Sequence, residues 1–147
     1  MRNKVFNTIF ENMLRIMLLM YVLKEPINRD RATLLDFVCI YGKKCKVLDK
    51  NLHGDNEFGF SEIENKRKKI KEAIILAAKN NYIEVGNSCH GFTYHLNERG
   101  IEIVEKIESA YSDNYMCNAK VVCEKFKDIS DEELLSYITK MAKEAKE

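Results

Sequence analysis

Lys66-Arg67-Lys68-Lys69-Ile70-Lys71 places five cations in six residues. The chemistry they offer is contact with phosphate, whose condensed counterions they displace. Successive residues of a helix step about 100° around its axis, so these side chains cannot all meet one groove. Lys66, Arg67, Lys69 and Lys71, with Lys79 further along, are the candidates for sequence-independent contact with double-stranded DNA. Base reading is a poorer match, because the solvent side of residues 70–81 would show Glu72, Ile75 and Lys79.

Other reactive residues form weaker patterns. His53, His90 and His95 accompany five cysteines, which invites a metal site. Structural zinc takes four ligands, usually in closely spaced pairs. Cys39/Cys45 and Cys117/Cys123 are spaced too widely for such a knuckle, and Cys89, His90 and His95 lack a second pair. Reduced thiols without metal are the expectation. Glu62/Glu64 and Asp131/Glu132/Glu133 are paired acids, but each set opens a helix, where carboxylates serve the helix dipole. The chain carries no Gly-rich phosphate loop, dinucleotide fingerprint or HExxH. The residues therefore predict neither an enzyme nor a cofactor.

The elements that would position these residues are mostly helical. One proline and six glycines in 147 residues leave little room for long loops. Apolar residues at helical spacing predict a first helix from Asn7 to Leu23, ended before Pro26, and a second from an Asn28 N-cap to Tyr41, stopped by Gly42. Lys43–Gly59 reads as a loop. A long amphipathic helix follows, opened by a Ser61/Glu64 capping box, with a possible break at Lys68–Lys71 and a stop at Asn80-Asn81. Tyr82–Val85 and Phe92–Leu96 alternate with period two around Gly86, Asn87 and Gly91, the pattern of a hairpin. Helices from Glu98 to about Tyr111 and over Asn114–Phe126 come next, and Ser130 with Glu133 caps a last one. The expected architecture is a winged helix-turn-helix core with extra terminal helices, divided into residues 1–126 and a C-terminal helix, 127–147, packed on that domain or on a partner.

Charge and hydropathy narrow the function. A net charge of +1 argues against a dedicated nucleic-acid binder, although residues 41–71 hold nine Lys/Arg against five Asp/Glu. Met13–Leu23 is almost wholly apolar but would span only about 16 Å as a helix against a hydrocarbon core of about 30 Å. Arg15 interrupts it and no small-residue cleavage site follows, so a cytoplasmic protein away from membranes is expected. Ile16, Met17, Leu18, Leu19 and Met20 cannot all face one core from a single helix, and Ile74-Ile75-Leu76 poses the same problem. Ile16, Leu19, Met20 and Ile75 are accordingly the expected partner surface, with burial on three sides as the competing reading.

Several ordered segments carry a family resemblance. They are Phe6-Asn7-Thr8 with Glu11 and Leu14-Arg15-Ile16; Leu35-Asp36-Phe37; Asn51-Leu52-His53-Gly54; Glu64, Arg67 and Ile70; Gly91–Tyr94; Ser109-x-Tyr111; and Asn118-Ala119. Over about Val5–Val122 the chain resembles the middle component of three-component ABC ATPase systems, including Lamassu-type anti-phage defence. It departs from that pattern at Lys68, where the family has a second Arg, and at Asn118-Ala119-Lys120-Val121, where Arg-Ala-x-Trp is common. The resemblance implies a non-catalytic winged-helix adaptor, placed like a kleisin between an SMC- or RecN-like ABC ATPase and an effector, commonly a nuclease. It leaves the Leu52-His53-Gly54 loop two readings: the favoured one packs the loop on its own helix with the imidazole capping backbone groups, and the alternative is contact with the ATPase. The alternative is a free-standing winged-helix transcription regulator that dimerises and binds DNA.

Overall fold

Thr8 opens the first helix: its hydroxyl accepts the Glu11 N–H at 3.1 Å, satisfying one of the donors a helix start leaves over. The computed structural model describes residues 8–52, 60–89 and 91–145. Among them the order is α1 (Ile9–Leu23), α2 (Arg29–Ile40), α3 (Phe60–Lys79), β1 (Ile83–Ser88), β2 (Gly91–Leu96), α4 (Glu98–Lys106), α5 (Ala110–Phe126) and α6 (Asp131–Ala145). The protein is mostly helical with one antiparallel hairpin.

The apolar α1 lies at the centre, packed by α2, α3, α4 and α5. Four surrounding helices give it inward-facing sides nearly all round, so Met13 and Ile16 through Met20 are all buried within the chain. Each such side chain stabilises the fold by about 1.5–3 kcal/mol relative to exposure. This corrects the expectation that Ile16, Leu19 and Met20 form a partner surface: the core of the same chain covers them. No described helix is long and apolar enough to cross a membrane.

Asn28 caps α2 as expected, accepting from Arg31 N–H at 2.7 Å. After α2 the backbone turns tightly at Gly42, where a Cβ would lie 2.2 Å from the Leu48 side chain, so only glycine fits. The Ser61 side chain lies outside the described residues, and with it the first capping box. α3 runs unbroken through Lys68–Lys71. It ends in a Schellman motif: Asn81 takes a left-handed φ of 61°, and Tyr82 N–H reaches back to the Ala77 carbonyl at 3.0 Å.

The hairpin is longer than its alternation suggested, since Gly86 pairs with Thr93 inside the ladder rather than in the turn. A single bridge adds Ile27 to the outer edge of β2, opposite Tyr94. The helix expected to reach Tyr111 stops at Lys106, because Ser109 caps a new one by accepting from Ser112 N–H at 3.0 Å. The Ser130/Glu133 capping box forms in both directions, at 3.1 and 2.9 Å. α6 then packs on α2, with Leu134 and Ile138 fully buried.

Candidate interaction site

α3 distributes the cationic run over two sides of a helix, and the two sides have different chemistry. Lys66 turns inward. Its ammonium donates to Asp36 at 2.9 Å, and its side chain is only 14% exposed. Asp36, fully buried on α2, also accepts from Arg15 Nε at 3.2 Å, Arg15 Nη2 at 3.3 Å and the Tyr115 hydroxyl at 2.6 Å. Arg15 in turn donates to Asn12 at 2.6 Å. One carboxylate thus ties α1, α2, α3 and α5 together. Burial alone would raise the Asp36 pKa, but the Arg15 and Lys66 charges and the donors on its oxygens outweigh it and hold the group well below the usual carboxylate range. Burial, helped by the Arg15 charge, lowers the Lys66 pKa despite the Asp36 carboxylate, and burial with the Asp36 charge pushes the Tyr115 phenol up.

The outward side is basic but partly neutralised. Arg67 sits between Asp30 and Glu64, 3.4 Å from each. Lys68 and Lys71, one turn apart, make no ion pair among the described residues and line a surface groove with Arg29 of α2. Lys69 is half-buried, and exposed Lys79 occupies the last turn, where a cation favours the helix dipole. Lys66 is therefore removed from the phosphate-contact candidates, because its charge is committed to Asp36.

Exposed apolar side chains occur at Ile9 and Phe10 of α1, Ile101 of α4 and Val121 of α5, and also on α3 and the hairpin. Ile75 is 45% exposed, as expected for a surface position. Val85 and Phe92 are 54% and 61% exposed. The ladder pairs Ile83 with Leu96, Val85 with Tyr94 and Asn87 with Phe92, so these residues share one face. Ile83 and Leu96 bury in the body of the domain, and the same stripe continues into solvent through Val85 and Phe92.

His53 and Gly54 lie outside the described residues, as do Phe6, Asn7 and His90. The described half of that loop is structural: Asn51 accepts the Lys43 N–H at 3.0 Å, and Leu52 is half-buried against the core and donates its N–H to the Ile40 carbonyl at 2.8 Å. Leu52 is thus turned to its own domain rather than outward. Cys39, Cys45 and Cys123 are buried, and burial pushes the Cys45 and Cys123 thiols up to about 12 and 11, which makes them poor nucleophiles.

Sequence reasoning missed the Asp36 node, although its signal was present. Arg15 and Asp36 are lone charges within apolar helical runs, and a charge facing inward must find a partner. Arg29, Val85 and Phe92 had no such signal, because exposure of a strand end depends on where the domain body stops.

A family model described as MC2, ABC-three component (ABC-3C) system Middle Component 2, matches residues 5–147. Comparison with curated proteins and with solved structures gives no match.

Proposed function

The chain belongs to the Middle Component 2 family of ABC-three component systems, and on that premise we propose that it is a non-catalytic adaptor joining an SMC- or RecN-like ABC ATPase to an effector, such as a nuclease, in anti-phage defence. Its partners are the other components of the system. The bridging role, like that of a kleisin, is the reading that the surface supports best. The proposed core is a winged helix of α1, the Ile27 bridge, α2, α3 and the hairpin. The third strand position at Ile27 and the order helix, strand, helix, helix, strand, strand support it.

The observation that carries the adaptor reading is the apolar exposure of Ile75, Val85 and Phe92 on the helix and wing, where a DNA reader would carry cations. Residues 83–96 contain Glu84 and no Lys or Arg. A free-standing regulator would need that wing to grip phosphate. A non-catalytic role fits the polar node, where Asp36 and Tyr115 are sealed in the core and bonded to each other rather than open to substrate. Action in the cytoplasm, with DNA met nonspecifically through the assembled complex, completes the proposal.

The test is affinity purification of the tagged chain from its native operon at moderate salt, with mass spectrometry of what stays bound. The expected result is recovery of a large ATPase with an effector. A chain that emerges alone as a dimer, still holding DNA, would overturn the adaptor in favour of the regulator.

A further inference from the structure

Tyr94 gives both backbone groups to Ile27: its carbonyl accepts at 3.0 Å and its N–H donates at 2.9 Å. In an antiparallel ladder, alternate residues aim their backbone polar groups at opposite edges. Phe92, two residues from Tyr94, must therefore aim its N–H and C=O at the same outer edge. The neighbouring chain does not follow it there, because after Asn28 it turns away as α2. The departure leaves a groove of about 740 Å³, bounded by Asn28, Arg29 and Arg31 of the α2 turn, by Phe92 and Tyr94 of β2, and by Asp131 of α6. An unpaired strand edge with exposed aromatic surface is a template for another strand.

The charges of this groove have a direction. Arg31 is neutralised by Asp131 at 2.8 Å, and Asn28 donates to the same carboxylate at 3.1 Å. Arg29 has no acidic partner among the described residues, and it also borders the neighbouring groove that holds Lys68 and Lys71, which have none either. Exposed Glu132 stands on the far wall. The surface therefore runs from an acidic end at Glu132, past an apolar strand edge, to three unneutralised cations.

We infer that this groove docks an extended, acidic polypeptide segment of another component of the system, which adds a short strand to β2 at Phe92 and lays its carboxylates across Arg29, Lys68 and Lys71. The inference rests on the adaptor reading and names the surface that reading would use. A strand edge offers an acceptor beside each donor, which a peptide satisfies and a phosphate backbone cannot. Phe92 supplies apolar contact at that edge.

The test uses the whole complex, co-expressed with its neighbouring components and purified through a tag on this chain. F92S, and separately R29E/K68E/K71E, are expected to lower the retained component about tenfold at low salt with the thermal midpoint of the isolated chain unchanged. The charge-reversal defect should shrink as salt rises, because surface charges are screened, whereas the F92S defect should persist. A photo-crosslinking p-benzoylphenylalanine at position 92 should capture a segment rich in Asp or Glu from another component. Wild-type retention in both variants would overturn the groove and leave the adaptor standing. A crosslink to DNA, or retention abolished by nuclease, would make the surface a nucleic-acid one. No component retained by the wild type would remove the adaptor reading itself, and this inference with it.

Discussion

Lys66 and Lys68 are separated by a single residue on α3, yet Lys66 is bonded to buried Asp36 while Lys68 faces solvent beside Arg29. Two positions along a helix are about 200° around it, so the same residue type ends on opposite sides. The inward lysine contributes to holding four helices on one carboxylate. The outward one makes no intramolecular ion pair among the described residues and contributes charge to a surface. A cationic run is thus two things at once, and which lysine does which depends on helix phase rather than on composition.

The inward side of α3 depends most on Asp36. Asp36→Ala leaves Arg15 buried without a counter-charge, and the expected loss is about 3–5 kcal/mol in urea denaturation. A loss under 1 kcal/mol would mean that the node is not the clamp described. Acid probes the same carboxylate. Its folded pKa is held well below the ordinary 3.8, so its stabilising contribution is complete above that value, declines below it and is lost as pH falls through the folded pKa. The urea midpoint should therefore drop below about pH 4, and Asp36→Asn should flatten that part of the pH profile.

Tyr115→Phe removes one hydrogen bond to a charged acceptor without changing shape, and should cost about 1.5–3 kcal/mol. The two lysines then sharpen the contrast directly. Lys66→Met keeps the aliphatic stem and leaves Asp36 with Arg15 and Tyr115, so a cost of about 1 kcal/mol is expected, the lost pair being offset in part by relief of lysine burial. Lys68→Met should change stability by less than about 0.5 kcal/mol. Equal costs at the two positions would erase the distinction between the two sides of α3.

Local chemistry was the most legible part of the fold. Asn28 and the Ser130/Glu133 box cap their helices because a cap is a contact between residues three apart. Ser109 falls within the single helix that periodicity predicts to about Tyr111, although its hydroxyl serves the same capping purpose. Ile16, Leu19 and Met20 could not be placed from periodicity, since a surplus apolar side looks the same whether a partner or α2–α5 of the same chain covers it. The surface site was half legible. Ile75 and the cations of α3 stood out, but Phe92 becomes a site residue only through the course of the chain at Ile27–Arg29, which depends on tertiary contacts.

The central position of α1 also has a consequence in time. The ribosome releases Met13–Met20 first, whereas α5, which covers part of it, follows about 90 residues later. At roughly 5–20 residues per second that interval is about 5–20 s. During it the most apolar helix of the chain has only part of its shell. Nascent α1 is therefore the segment on which a holding chaperone would act, and the clamp at Asp36 cannot close until Tyr115 has left the exit tunnel.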